Sequence, residues 1–147
     1  MSGTAPWVTP WKQDPTVATT LWAGRQNIFK STNSAGNWTM TTALPAAGSV
    51  VEFAIAPSNN QVIYVVKSNN IFRTQDGGTT WATVTGTIPV GSAGLQNLCI
   101  SPTNTSVVFV VAGNYSTGNK VWKSTNGGAT WTNYSANLPN LPGNCLL

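Results

Sequence analysis

An eight-residue phrase occurs three times along the chain, and it constrains the fold more than any other feature. The copies begin at residues 31, 74 and 124, which lie 43 and 50 residues apart. Each has a hydroxyl residue first, Asn or Asp two places on, and Trp seven places on. These positions are Ser31, Asn33 and Trp38; then Thr74, Asp76 and Trp81; then Ser124, Asn126 and Trp131. A repeat at this period predicts stacked or radially arranged β-units.

Each phrase predicts a tight hairpin turn followed by a returning strand. The Asn or Asp side chain and the hydroxyl bond N–H groups of their own turn. Gly78 and Gly128 adopt the positive φ of such a turn without steric cost. The first copy has Ala35 at this place, with Gly36 one position later. We therefore expect either a strained first turn or a positive φ moved to Gly36, and in both cases the least regular of the three hairpins.

Strand signals surround each phrase in the same order. An inner strand, at about 8–13, 50–56 and 96–101, ends before a proline-containing turn. A second apolar strand, a third strand leading into the phrase, and an outer strand starting at the Trp follow. No segment has helical periodicity. The sequence predicts an all-β protein made of β-propeller blades, three four-stranded antiparallel units plus the start of a fourth.

The three units account for nearly the whole chain as one partial propeller, residues 1–147. Blade 1 is predicted at about 6–45, blade 2 at about 49–89 and blade 3 at about 95–139, with an extra strand segment at 141–147. Three blades leave two apolar faces and unpaired strands in water. We expect self-association, either as a dimer that closes a six-bladed ring or as an open filament. Further blades from a longer parent chain are the alternative.

The phrase resembles the Asp-box, or BNR repeat, of sialidases, sortilin-type receptor domains and xyloglucan-cleaving propellers. The string KSTNGGATWT at 123–132, followed by Leu138-Pro139, is most similar to secreted bacterial sortilin- and sialidase-like propeller proteins of unknown function. The resemblance implies that the boxes lie between the third and fourth strands of each blade, away from the usual ligand face. It also implies that they maintain the fold and carry no chemistry.

Composition favours an extracellular or cell-surface location, because only 7% of residues are charged. The seven Lys and Arg residues are scattered against three acids, so no nucleic-acid-binding stripe is expected. Lys30, Arg73 and Lys123 recur at one place in each unit and are interpreted as solvated strand ends. No apolar run is long enough to span a membrane.

The chain has no histidine and only two cysteines, Cys99 and Cys145. No metal site and no cofactor are therefore expected. Both cysteines fall in predicted inner-strand segments of different units. Two buried free thiols are favoured over a disulfide, but nothing in the sequence fixes their separation, so the disulfide stays open.

The carboxylates do not predict a catalytic site. A glycosidase uses two carboxyl groups that flank the sugar bond. Asp76 belongs to the second phrase and Asp14 to a turn, which leaves Glu52 in an inner strand. We expect Glu52 to line the central channel, paired with a nearby lysine. No catalytic residue is predicted.

The candidate ligand-binding residues are aromatic, charged and amide side chains outside the phrases: Trp7, Trp11, Arg25, Glu52, Tyr115 and Asn119. The aromatic rings would stack on a sugar or contact a partner. The resulting hypothesis is a non-catalytic module of a secreted or surface protein, acting as a self-assembling structural scaffold or as a glycan- or protein-binding unit. The alternative is a fragment of a sialidase-like or xyloglucanase-like glycoside hydrolase whose catalytic residues lie largely outside this chain.

Overall fold

The protein consists of three separate four-stranded antiparallel sheets, each built from consecutive strands. The computed structural model describes residues 6–89, 94–113, 115 and 118–140. Blade 1 contains β1 (Trp11–Gln13), β2 (Leu21–Gly24), β3 (Ile28–Ser31) and β4 (Thr39–Met40). Blade 2 contains β5 (Val50–Ala56), β6 (Asn59–Lys67), β7 (Asn70–Thr74) and β8 (Ala82–Thr83). Blade 3 contains β9 (Leu95–Ile100), β10 (Val108–Ala112), β11 (Val121–Ser124) and β12 (Thr132–Asn133).

The predicted fold class is confirmed: the described residues form strands and turns without a helix, and the three sheets do not close into a ring. It follows that the described part of the chain has no helix long and apolar enough to cross a membrane. The segment 141–147, predicted as the start of a fourth blade, lies outside the described residues.

The strand registers make the three blades directly comparable. The first hydroxyl of each phrase pairs across the second and third strands with an aliphatic residue: Ser31 with Leu21, Thr74 with Ile63 and Ser124 with Val108. Counting from these pairs, Trp22, Tyr64 and Phe109 occupy one equivalent place. Cross-strand partners share a face of the sheet, and neighbours along a strand point to opposite faces.

Two apolar clusters fill the two junctions between blades. At the first junction Trp22, Ile28 and Leu44 of blade 1 pack against residues of β5, β6 and β7. At the second, Tyr64, Ile71 and Ile88 of blade 2 pack against residues of β9 and β10 and against Trp131. Full burial of a large apolar side chain stabilises the fold by about 1.5–3 kcal/mol. The core therefore lies between the sheets, so each blade depends on its neighbours.

Asp14 links blades 1 and 2 at the inner side of the first junction. Its carboxylate accepts hydrogen bonds from the backbone N–H and hydroxyl of Thr16 at 2.9 Å, from the indole N–H of Trp22 at 3.3 Å, and from the Asn60 amide of blade 2 at 3.1 Å. Burial alone would raise the pKa of Asp14, but the bonds from Thr16, Asn60 and Trp22 together lower it below the usual value. This carboxylate is structural.

Lys67 links the same two blades at the opposite end of their strands. The side chain is almost completely buried, and its ammonium group donates to the carbonyl of Gln26 in blade 1. Loss of solvation lowers the pKa of Lys67. A lysine in this position links two sheets through a backbone acceptor.

Candidate functional site

The three Asp-boxes have the same hydrogen-bond geometry. In each, the hydroxyl donates to the Asn or Asp side chain at 3.0, 2.7 and 3.0 Å in chain order. The hydroxyl also accepts the N–H four residues on, at 3.0, 2.9 and 2.8 Å. The Asn or Asp oxygen accepts the N–H four residues beyond itself, at 2.8, 2.9 and 2.9 Å. Side chains of each box therefore satisfy two of its backbone N–H groups. The N–H three residues after the hydroxyl donates to a carbonyl outside the box: Ser34 to Thr19, Gly77 to Gln61 and Gly127 to Ser106.

The first box has the same turn conformation as the others, although it has residues with side chains where that conformation favours glycine. Ser34 and Ala35 have φ of 55° and 70°, at the places where the second box has Gly77 and Gly78 at 65° and 90°. Gly36 does not have a positive φ. The alternative in which the positive φ moves to Gly36 is therefore wrong. The three bonds common to the boxes are kept, but no described residue gives Asn33 a counterpart of the side-chain bonds that join Thr80 to Asp76 and Asn126 to Thr130. The strained alternative is correct, because two L-residues hold the left-handed conformation.

The second and third boxes also contact the blade that precedes their own. A methyl group at Gly78 would lie 2.6 Å from Thr41 Cγ2 of blade 1, and one at Gly128 would lie 2.8 Å from Val84 Cβ of blade 2. The tryptophan that ends each box donates its indole N–H across the same junction. Trp81 donates to the carbonyl of Thr42 at 3.0 Å, and Trp131 to that of Val84 at 2.8 Å. The boxes therefore fix the spacing between blades.

Asp76 makes the second box sensitive to acid. Hydrogen bonds from the Thr80 and Thr74 hydroxyls and from the Thr80 N–H lower the pKa of Asp76 from 3.8 to about 2. A depressed pKa stabilises the folded state fully above the unfolded value, and this contribution is lost as the pH falls through the folded value. The other two boxes have Asn here and do not titrate.

We predict that Asp76→Asn makes the free energy of unfolding less dependent on pH under acidic conditions. Between about pH 4 and pH 2 the wild type should lose more of its free energy of unfolding than the variant does. Urea denaturation at a series of pH values measures this difference. Asn126 makes the equivalent bonds in the third box, so the variant should fold normally near neutral pH. If the free energy of unfolding fell equally with pH in the two proteins, Asp76 would not be the source of the acid sensitivity.

The inner strands of all three blades line one groove of about 450 Å³ with both polar and apolar walls, which we call the channel groove. Its polar lining consists of Lys12, Gln13, Glu52, Asn97 and Cys99. The Lys12 ammonium lies 3.5 Å from the Glu52 carboxylate, which also accepts the N–H of Phe53 at 2.8 Å. The ion pair with a nearby lysine that the sequence predicts for Glu52 is thus present.

Cys99 lines the same groove as a free thiol, and burial raises its pKa. The expectation of a fully buried thiol is wrong for Cys99, which is half-buried because its side chain faces the open groove. Cys145 lies outside the described residues.

The remaining predicted ligand-binding residues do not form one site. Tyr115 and Asn119 share the connection between β10 and β11, where the Lys120 ammonium lies 5.9 Å from the centre of the exposed Tyr115 ring. Asn119 accepts a hydrogen bond from the Asn133 amide at 3.2 Å. Arg25 is half-buried after β2, and its carbonyl accepts the Val50 N–H of blade 2 at 2.7 Å. Trp7 is fully exposed ahead of β1.

Trp11 lies on the side of blade 1 that points away from blade 2. It pairs with Ala23, whereas its neighbour Lys12 pairs with Trp22, which faces blade 2. In the other inner strands the equivalent residues are Phe53 and Leu98, 0% and 4% exposed, while Trp11 is 66% exposed. Trp11 is thus a blade-packing residue by position, although no described blade covers it.

Sequence reasoning missed Lys12, Gln13 and Asn97 in the groove. The signal was available, because polar residues within predicted inner strands point to the channel side. Sequence reasoning also misjudged the repeated cations. The ammonium of Lys30 lies 4.7 Å from the Trp22 ring, and that of Lys123 lies 5.4 Å from the Phe109 ring. These cations are aromatic-packing groups at the blade faces, not solvated strand ends.

Comparison with known proteins agrees with this architecture. The family model described as sortilin, neurotensin receptor 3 (Sortilin-Vps10) matches residues 26–141. The chain belongs to this family. A xyloglucanase of Hypocrea jecorina (strain QM6a) is 29% identical to this sortilin-family chain in a 99-residue alignment that covers 56% of the chain and 11% of the xyloglucanase.

Solved structures show the same blade arrangement. An ancestral GH74 enzyme matches 88% of the chain with a TM-score of 0.72 and 21% identity. The GH74 xyloglucanase from Xanthomonas campestris matches 86% of the chain with a TM-score of 0.70 and 15% identity. This sortilin-family chain spans 18% and 23% of those two chains. At these identities the likeness concerns the fold.

Proposed function

We propose that the chain is a non-catalytic Asp-box propeller module of a secreted or cell-surface protein, acting as a self-assembling structural scaffold or as a glycan- or protein-binding unit. The observation that supports this proposal is that all three side-chain carboxylates of the chain are already hydrogen-bonded or ion-paired. Asp14 accepts hydrogen bonds from four residues around it, Asp76 is bonded within its box, and Glu52 is paired with Lys12. Hydrolysis by an acid–base or nucleophile pair needs two carboxyl groups facing one substrate. Only Glu52 lies in the channel groove.

A hydrolase fragment is the second candidate, because the xyloglucanase similarity covers 56% of this chain but only 11% of that enzyme. In this case the missing carboxylates would lie in blades outside the chain.

We predict no release of reducing ends when the purified chain is incubated with xyloglucan, alongside an active xyloglucanase as a positive control. The reason is the lack of a second carboxylate in the groove. Turnover by the chain that Glu52→Gln abolishes would refute the non-catalytic proposal. Turnover that survives Glu52→Gln would indicate a contaminating enzyme.

The binding part of the proposal is supported by the edge of blade 3. The exposed Tyr115 ring, with the Lys120 ammonium and the Asn119 amide near it, combines an apolar face with hydrogen-bonding groups. This combination suits a pyranose ring. A glycan array should show bound glycans that Tyr115→Ala removes and that Glu52→Gln retains. Identical arrays for wild type and Tyr115→Ala would exclude this edge as the binding surface.

A further inference from the structure

We propose that the outer face of blade 3, against which no described blade packs, binds the outer face of blade 1 in a second copy of this chain, so that two chains close a six-bladed ring. The inference rests on the scaffold function proposed above and specifies its partner and contacts. We name the two surfaces the tail face and the head face. The tail face consists of Phe109, Val121, Lys123, Tyr134 and Leu138. The head face consists of Trp11, Leu21, Trp38 and the first box turn, 33–36.

The tail face has the residues that form a junction in the other blades. Leu138 is equivalent to Leu44 and Ile88, which are 5% exposed in both cases, yet Leu138 is 46% exposed. Phe109 is equivalent to Trp22 and Tyr64, which are completely buried, whereas Phe109 is half-buried. The apolar side chains of a junction are therefore present on blade 3 without a described blade against them.

Among the described residues, Tyr134 and Lys123 partly shield this surface. The Tyr134 ring packs edge-on against Phe109 at 5.8 Å, and the Lys123 ammonium lies 5.1 Å from the Tyr134 ring. Tyr134 nevertheless remains exposed. An aromatic cluster with a single cation is a surface that another sheet would bury favourably.

The head face has the other half of a junction. Trp11 stands where Phe53 and Leu98 pack onto the preceding blade, and Trp38 stands where Trp81 and Trp131 do. Trp81 and Trp131 each donate an indole N–H to the preceding blade. For Trp38, no acceptor of the indole N–H is found among residues 6–89, 94–113, 115 and 118–140. The head face thus presents the indole N–H of Trp38 and the exposed ring of Trp11. The equivalent groups of blades 2 and 3 contact the preceding blade.

The repeat also identifies the acceptors. The carbonyl of Tyr134 stands at the place of the Val84 carbonyl, which accepts from Trp131. The carbonyl of Ser135 stands at the place of the Thr42 carbonyl, which accepts from Trp81. The neighbouring carbonyls of Tyr134 and Ser135 are therefore the matching acceptors for Trp38 of the second copy. Arg73 of blade 2 donates to the Gly127 carbonyl in the next box at 2.8 Å. By the same register, Lys123 would donate to the Ser34 carbonyl of the second copy. A cation on the tail face therefore meets the carbonyls of a box turn.

The number of described blades fits closure by two copies. Two chains of three sheets provide six blades, within the range of about four to eight blades that propellers use. A third copy would exceed that range. Each interface would be head to tail, and the two-fold ring uses both free faces of both chains.

Ala35 is the one misfit between the head face and the internal junctions. Both internal junctions have glycine here, and a methyl group would approach Val84 Cβ to 2.8 Å at the second. The intermolecular junction should therefore be weaker than the internal ones. Ala35→Gly should lower the dimer Kd by about tenfold, the effect of removing one steric contact.

Complementation between two blocked variants tests the proposal. Trp11→Arg blocks only the head face and Tyr134→Arg blocks only the tail face; both side chains are exposed, so the fold should survive, which circular dichroism checks. Each variant alone should be monomeric by size-exclusion chromatography with light scattering. An equimolar mixture should give a dimer of about 31 kDa, twice the 15.5 kDa chain, through the one intact head and the one intact tail. Tyr115→Arg, at an exposed ring outside both faces, should dimerise as the wild type does.

The outcomes separate this inference from the proposed function. If the wild type associates but the mixture of blocked variants stays monomeric, the head-to-tail inference fails while the scaffold function stands. If either blocked variant dimerises alone, the interface joins like faces and the inference also fails. A monomeric wild type overturns self-assembly altogether but leaves the non-catalytic module unaffected. An unchanged Kd for Ala35→Gly would refute the proposed register.

Discussion

Trp131→Ala is expected to lower the free energy of unfolding by about 3–5 kcal/mol, the largest effect of any single truncation that we predict. Trp131 is almost completely buried in the junction between blades 2 and 3. Its ring packs on Gly86, and its indole N–H donates to the Val84 carbonyl at 2.8 Å. Truncation leaves a cavity and removes the partner of a backbone carbonyl.

Trp38→Ala is the matched control, since Trp38 occupies the same place in the first box. It is half-buried and has no described blade before it. We expect its truncation to cost about 1 kcal/mol, typical of a partly exposed site. Both variants should be made in the Trp11→Arg background, which removes self-association, and compared by urea denaturation. Equal losses would contradict the conclusion that the box tryptophans stabilise the fold through the preceding blade.

Gly128→Ala should destabilise the protein strongly by adding a single methyl group. Gly128 has φ of 87°, which costs a residue with a side chain about 1–2 kcal/mol. The methyl would also lie 2.8 Å from Val84 Cβ and 3.2 Å from the Val84 carbonyl oxygen. Overpacking of this kind costs about 1–3 kcal/mol. The combined loss should be about 2–5 kcal/mol in the same background and assay.

The reverse change at the equivalent place provides the control. Ala35 has φ of 70° and is exposed, so Ala35→Gly removes backbone strain without opening a cavity. We expect it to raise the free energy of unfolding by about 1 kcal/mol. Opposite signs at positions 128 and 35 would show that the two boxes share one backbone geometry. A neutral Gly128→Ala would contradict the close approach between the third box and blade 2.

The repeat made the blades predictable because each box combines its own hydroxyl, amide or carboxylate, and tryptophan within eight residues. Such local bonding does not depend on distant parts of the chain. For the same reason, the strands before each box could be located from their order alone. The outcome at Ala35 was harder to predict, because the hydrogen bonds of the box outweigh the local preference of Ser34 and Ala35 for negative φ.

The contacts between blades could not be read from local patterns. Lys67 is a charged residue in a buried strand, and only the position of the Gln26 carbonyl explains it. The role of Trp11 likewise depends on the register that makes it equivalent to Phe53 and Leu98. Exposure and aromatic character suggested a ligand, whereas the register shows a blade-packing position.

The molar mass of the wild-type chain, measured by sedimentation equilibrium over a wide concentration range, tests the two-chain ring most directly. We expect a mass that rises with concentration and levels off at twice the 15.5 kDa of the chain. A mass of 15.5 kDa at every concentration would contradict the conclusion that the two end faces bind each other. A mass that grows without reaching a plateau would contradict ring closure.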